Sequence, residues 1–458
     1  MTDRSNEHNS GRRLLVQDAA RLEDVEIKHL RVRELLERTG ADALLLQEPA
    51  NIAWFTAGAD LTRCAADECA TSLFVTADAR LFATNSVDSS QIFEREAFGL
   101  GFQLKQREWY QPHCELVSDL CRGRKVLSDR GPAGTLHAAR KVRRLRLPLT
   151  SLEFTRLRQL SAIAVHAVEA TGHHLESGVT EAEIAGEVSH RLLKRTVAVA
   201  RIQVCADGRS ERYRHWSFSE QPVQRYAAIS CGARRWGLHV GVTRTVCVGD
   251  VPTDVAADFQ KALLVHATGM FFSRSGQIAG DIWKKVQRIY DKFGIPNEWK
   301  RADQGSVVGF TLSEAPIAPG SEYQLPDPVP LFWHPSVGRA MTGDTVLCSE
   351  TAVRQLTTSP SWPQVTVEVK GCPVTCAGIL CVGSGKNAAT AAANAESGNP
   401  PSAASTPTPR TPSVECPDHP EEDGPDAVES VWELPVPVSH RVWDDEGDNA
   451  YSHESVLD

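Results

Sequence analysis

Long apolar runs are missing from this chain. Of its 458 residues, 41% are hydrophobic, yet they never line up over the length a bilayer requires. A transmembrane helix is therefore not expected. Basic charge is not in excess either. The chain has 49 Lys and Arg against 58 Asp and Glu, a net charge of −9. That balance argues against general nucleic-acid binding. Met1 to Arg13 is polar and charged and lacks the apolar centre of a secretory signal, so a cytoplasmic location is expected. Paired CxxC motifs are also missing among the 12 cysteines. In a reducing compartment such thiols act mostly as packed apolar groups. Cys372, Cys376 and Cys381 lie close together, but their spacing is not that of a zinc ribbon. Ser217 and Ser219 have no nucleophile elbow around them.

What is present suggests two folded domains and a tail. Residues 1–22 read as a flexible lead-in. Residues 23–149 open with an amphipathic helix carrying Val25, Ile27, Leu30, Leu35 and Leu36 and ending near Gly40. Ala43 to Leu46 reads as a buried strand. Ser72 to Thr76 and Leu81 to Thr84 read as paired strands around Ala77 and Asp78. Alternating helix and strand predict an α/β domain. The run Arg140, Lys141, Arg143, Arg144 and Arg146 reads as the solvated face of an interdomain connection.

Residues 150–382 form the second domain, with an α+β pattern. Thr150 with Glu153, and Thr180 with Glu183, are capping boxes that start helices running towards Thr171 and Leu193. Further helices are predicted over 254–272 and 279–293. Strands are predicted over Ser306 to Leu312, Leu331 to Trp333, Thr345 to Ser349 and Val365 to Val369. Residues 383–458 are rich in Gly, Ala, Ser, Pro and Thr, then acidic, with 15 Asp and Glu against 3 Lys and Arg. Such a stretch buries too little apolar surface to offset its chain entropy and is read as disordered.

The centre of the second domain is the stretch from Ile229 to Thr245. Apolar and β-branched residues flank Arg235-Trp236-Gly237, the pattern of two strands meeting at a tight turn. The stretch resembles, without a gap, the hairpin I-D-A-G-A-R-x-x-G-x-x-A-D-I-T-R-T of the creatinase/Xaa-Pro peptidase family, the pita-bread hydrolases. Gly232-Ala233-Arg234, Gly237 and Thr243-Arg244-Thr245 match. Gly305 to Pro316 resembles the family's G-H-G-I-G-L-E-I-H-E-A-P. Met341 to Glu350 resembles R-x-E-D-T-V-L-V-T-E, and Asn51 to Gly58 resembles an N-terminal-domain segment. The resemblance implies a creatinase-like α/β N-terminal domain followed by a pita-bread domain. It also implies a homodimer.

Family members typically hold two divalent metals with two Asp, one His and two Glu. Several carboxylates are needed to offset two such cations and hold a shared water. On this resemblance the five ligand positions fall on Ser230, Gly241, Ser306, His334 and Gly343. None is a carboxylate, so neither a metal nor another cofactor is expected. Ser313 replaces a substrate-facing His, while Glu314 of E-A-P remains; with His239 they are further pocket candidates.

His215 stands at the interval where the family carries a substrate-facing His. Metal-free creatinase uses such a group as acid/base, a role suited to its pKa. The residues equally allow a hydrogen-bonded histidine with no catalytic part. His334 reads either as a pocket group or as a strand-end residue facing water. Three functional readings follow. The first is a non-catalytic pseudoenzyme that binds a small amide or peptide. The second is a metal-independent C–N hydrolase using His215. The third is a metallopeptidase with a site rebuilt from His215, His239 and His334. The first is the expectation; whether any enzyme activity remains stays open.

Overall fold

Two sheets carry the chain through residues 18–62, 71–214, 217–383 and 413–414, which the computed structural model describes. Helix α1, Ala19–Thr39, begins inside the expected lead-in. The Asp18 carboxylate accepts the Arg21 N–H at 3.1 Å, and Gly40 closes the helix at φ 58°. Its buried face is Val25, Val32, Leu35 and Leu36 together with Asp24, Lys28 and His29. Ile27 and Leu30 are exposed instead. The reason is that this face meets the start of a later helix through polar groups. Lys28 pairs with Asp24 and with Glu153, the latter at 2.7 Å.

Strand β1 (Ala43–Leu46), helix α2 (Pro49–Phe55), β2 (Ser72–Thr76), β3 (Arg80–Asn85), the single turn α3 (Ser89–Gln91), β4 (Gln103–Arg107), α4 (His113–Cys121), β5 (Val126–Ser128) and β6 (Leu136–His137) follow. They build a six-stranded mixed sheet in the order β4-β3-β2-β1-β5-β6. The expected pairing of β2 and β3 is antiparallel. Helix α5, Ala139–Leu145, leads out of this sheet. The basic run belongs to it only in part, because Arg146 is buried rather than solvated.

Both capping boxes are present. They open α6 (Ser151–His173) and α7 (Glu181–Leu193). The chain continues as β7 (Ala198–Ala206), α8 (Arg209–Arg212), β8 (Tyr226–Arg235), β9 (Leu238–Val248), α9 (Thr253–Phe272) and α10 (Ala279–Lys292). Then come β10 (Gly305–Val307), β11 (Ala315–Pro316), β12 (Val329–Trp333), β13 (Ser336–Val337), β14 (Ala340–Met341) and β15 (Gly343–Cys348). The last are β16 (Val353–Gln355), β17 (Gln364–Val369), β18 (Cys372–Ala377), β19 (Ile379–Val382) and β20 (Ser413–Val414).

The large sheet runs β11-β10-β12-β15-β9-β8-β7, with β19 beside β9 and β16 beside β15. Helix α6 packs across β8 and β9, and α7 packs on β7. The strand expected over Ser306 to Leu312 stops at Val307. The chain folds back there, with Ser306 opposite Pro316, and the Glu314 carboxylate accepts the Thr311 N–H at 3.0 Å. A side-chain acceptor thus takes a donor that a strand would have spent on its neighbour.

Candidate functional site

The β8–β9 hairpin positions the site. Its register sets Arg235 opposite Leu238, Gly232 opposite Gly241 and Ser230 opposite Thr243. Trp236 at φ 54° and Gly237 at φ 76° make the turn, the left-handed pair that matches strand twist. Gly237 is doubly required, since a Cβ there would come within 2.5 Å of the Ala53 Cβ. Trp236 is bulky for this conformation, which costs an L-residue roughly 1–2 kcal/mol. Its surroundings fix it. Gly58 packs directly on its Cβ, and the Arg235 and Arg156 guanidiniums lie 4.2 and 5.2 Å from its ring.

Paired residues and alternate residues along a strand share a face. By the registers of β8, β9, β15, β12 and β10, Ser230, Gly241, Gly343, Phe332 and Ser306 stand on one face of the sheet. His334, just past β12, stacks its ring 4.5 Å from that of Phe332. The structure therefore gathers all five sequence-assigned positions. Ser230 accepts a 2.8 Å hydrogen bond from Thr243. Ser306 donates to the Leu312 carbonyl at 3.1 Å. Thr345 Oγ1 donates to the Gly241 carbonyl at 2.7 Å and accepts its N–H at 2.9 Å. His334 is buried rather than facing water, with Nε2 3.4 Å from Asp303.

This face does not fit a dinuclear metal centre. A Cβ at Gly241 would lie 2.3 Å from the Phe332 ring, and one at Gly343 would lie 2.7 Å from the Trp333 carbonyl oxygen. The cation nearest Phe332 is a guanidinium, that of Arg201, 5.8 Å from the ring centroid. Burial lowers its pKa, opposed by Asp303. Among the described residues no group of three or more His, Cys, Asp or Glu is arranged to hold a metal.

The surviving motif residues have other partners. Arg244 is fully buried and bonds Glu169 and Asp344, both at 2.9 Å, and the Thr357 carbonyl at 2.5 Å. Burial works against its charge, but Asp344 and Glu169 more than offset this and raise its pKa. His266 Nε2 lies 4.0 Å from Asp344. Burial pushes that imidazole down to about 4, and neither ring nitrogen has a hydrogen-bond partner.

Glu314, expected as a pocket group, is instead ion-paired with Arg146. Arg146 also donates to Asn51 at 2.7 Å, and Asn51 donates to Asp129 at 2.8 Å. This chain of polar contacts joins the end of β5 to the loop after β10. It explains why Glu314 and Asn51 stand where the motifs have them. Ser313 is exposed. Ser219 Oγ donates to Glu181 at 2.7 Å, so it has a structural partner. His215 lies outside the described residues.

A cavity of about 280 Å³ opens at the hairpin tip, lined by Arg234, Arg235, Trp236, His239, Asp60 and Glu96 among others. Of the predicted site residues only His239 belongs to it. Burial, and after it Arg234, pushes the His239 imidazole down to about 4. Its Nδ1 has no hydrogen-bond partner. The sequence signal for the remainder was the run Arg234-Arg235-Trp236 at a turn, which the hairpin reading took only as a reversal.

Residues 155–348 match the model of metallopeptidase family M24. Over that span the chain is similar to family M24. The family resemblance of the hairpin and strand motifs is thus borne out, and the fold agrees. The Xaa-Pro dipeptidase from Bacillus anthracis superposes with a TM-score of 0.64 at 18% identity, covering 78% of this chain and 100% of that one. The X-Pro aminopeptidase from Thermotoga maritima gives 0.63 at 19% identity, covering 77% and 99%. The N-terminal domain of FACT complex subunit SPT16 from chickpea gives 0.59 at 11% identity, covering 74% and 96%. At these identities the likeness is one of fold. No curated protein sequence matches the chain. No described helix of this chain is long and apolar enough to cross a membrane.

Proposed function

We propose that this M24-like chain is a non-catalytic binding protein, with a small amide or peptide as its ligand class and a homodimer as its assembly. One observation carries the reading. The face that bears Ser230, Gly241, Ser306, His334 and Gly343 offers no carboxylate at those positions, and the Phe332 ring fills the space in front of Gly241. Divalent cations require ligands that offset their charge, and bonded hydroxyls with one buried imidazole do not. The same fold occurs both in Xaa-Pro peptidases and in a FACT complex subunit, so the fold by itself does not require peptide hydrolysis.

Bound metal tests the proposal. The purified full chain is incubated with Mn²⁺, Co²⁺ or Zn²⁺, desalted and analysed by elemental mass spectrometry. Metal at background level is expected. Near-stoichiometric metal that disappears in His334→Ala would overturn the reading and restore a peptidase. Light scattering behind size exclusion checks the dimer.

A further inference from the structure

We infer that the cavity at the hairpin tip is a binding site for the oxyanion of a small molecule, a carboxylate or a phosphate, held by Arg234 and Arg235. Three observations on different groups converge there. First, Arg234 and Arg235 both line the cavity and are half-buried. Neither has a hydrogen-bonded or ion-paired acid among the described residues; Arg235 touches only the Trp236 ring, at 4.2 Å. Two half-buried guanidiniums with no directly bonded acid keep their N–H donors available for an oxyanion, whose charge strengthens such bonds.

Second, the carboxylates on the opposite wall are already supplied with donors. Asp60 Oδ1 accepts from the Thr62 hydroxyl at 2.6 Å and from its N–H at 3.2 Å. Glu96 Oε2 accepts the Asp60 N–H at 3.2 Å. These contacts engage both carboxylates away from the hairpin arginines; their charge remains in the cavity lining and selects against a second anionic group there. Third, His239 lines the same cavity and its buried Nδ1 has no hydrogen-bond partner. A neutral imidazole supplies a hydrogen bond to a ligand without adding a third like charge.

The turn fixes this geometry. Trp236, held in the left-handed region, stacks against the Arg235 guanidinium at 4.2 Å and so limits its swing into solvent. Strain of that kind persists where the surroundings over-determine it. At about 280 Å³ the recess suits a molecule at the small end of the ligand range. Its lining does not include Ser230, Gly241, Ser306, His334 or Gly343, although Arg234 and His239 continue the same face of the hairpin towards its tip, so anion binding is tested separately from metal binding.

The test is isothermal titration of the full chain with succinate and, separately, with inorganic phosphate. Saturable binding of at least one probe is expected. Arg234→Gln should weaken it about 10- to 100-fold, the range for losing a hydrogen bond to a charged group. Arg235→Gln, whose guanidinium contacts only Trp236, is the second variant if Arg234→Gln fails to fold. Tighter binding of succinate assigns the site to carboxylates, and tighter binding of phosphate assigns it to phosphate esters. Absence of saturable binding by either probe would overturn the inference. So would binding that a folded variant of either arginine leaves unchanged. The metal measurement above is unaffected by any of these results.

Discussion

Gly241 and Phe332 act as a pair. The glycine has no side chain because the ring occupies its place, and the ring is held by neighbours on both sides: His334 stacks on it and Arg201 lies over it. Adding one methyl at Gly241 should overpack the face and cost about 1–3 kcal/mol. Gly241→Ala and Phe332→Ala should each destabilise, and the double variant should recover part of the loss. A double-mutant cycle from urea unfolding reads the coupling; purely additive costs would contradict the pairing. The sequence showed a glycine at 241, but not what stands in front of it. That depends on a ring from β12, which β15 separates from β9 in the sheet and which lies far away in the chain. His334 shows the same limit. Its residue type was legible, whereas its burial depends on Phe332 and Asp303.

Elements were easier to read than their junctions. Capping boxes at Thr150 and Thr180, the helix ending at Gly40 and the β2–β3 pairing all follow from local chemistry, and the structure contains them. Arg146 does not read this way. Beside Arg143 and Arg144 it looks like one more solvated cation, yet its partner, Glu314, comes from the far side of β10. Breaking a buried pair from one side leaves an uncompensated charge and costs roughly 3–5 kcal/mol. Glu314→Ala should therefore lower the urea midpoint strongly. Arg146→Met combined with Glu314→Leu should cost far less, because no charge is stranded. Equal losses in the two variants would mean that the junction rests on packing rather than on the pair. The strand that ended early at Val307 belongs to the same junction. Glu314 bonds the Thr311 N–H and Arg146 together, so the turn-back and the ion pair to Arg146 share one carboxylate.

At the scale of the whole molecule, buried histidines couple stability to pH. The folded-state pKa of His266, about 4, lies below that of an exposed histidine, about 6.5. Between those values the unfolded chain binds a proton that the folded chain refuses, so stability falls as pH drops through that window and is fully present above it. The contribution of His266 is on the order of 3 kcal/mol at most. Thermal melts at pH 7 and pH 5 should differ, and His266→Leu should shrink the difference. An unchanged difference would assign the pH response to other groups, His239 first.

The Arg244–Asp344 pair has a consequence for how such chains are recognised. Arg244 ties β9, β15 and α6 together through Asp344 and Glu169, and both members of the pair fall inside the span matched by the family model. A search that weighs those positions detects the scaffold's internal wiring, not its chemistry. In genome surveys, M24 matches are better sorted by the five face positions than by score. A chain that scores through its wiring alone belongs in a separate class, to be assayed for what it binds before what it cleaves.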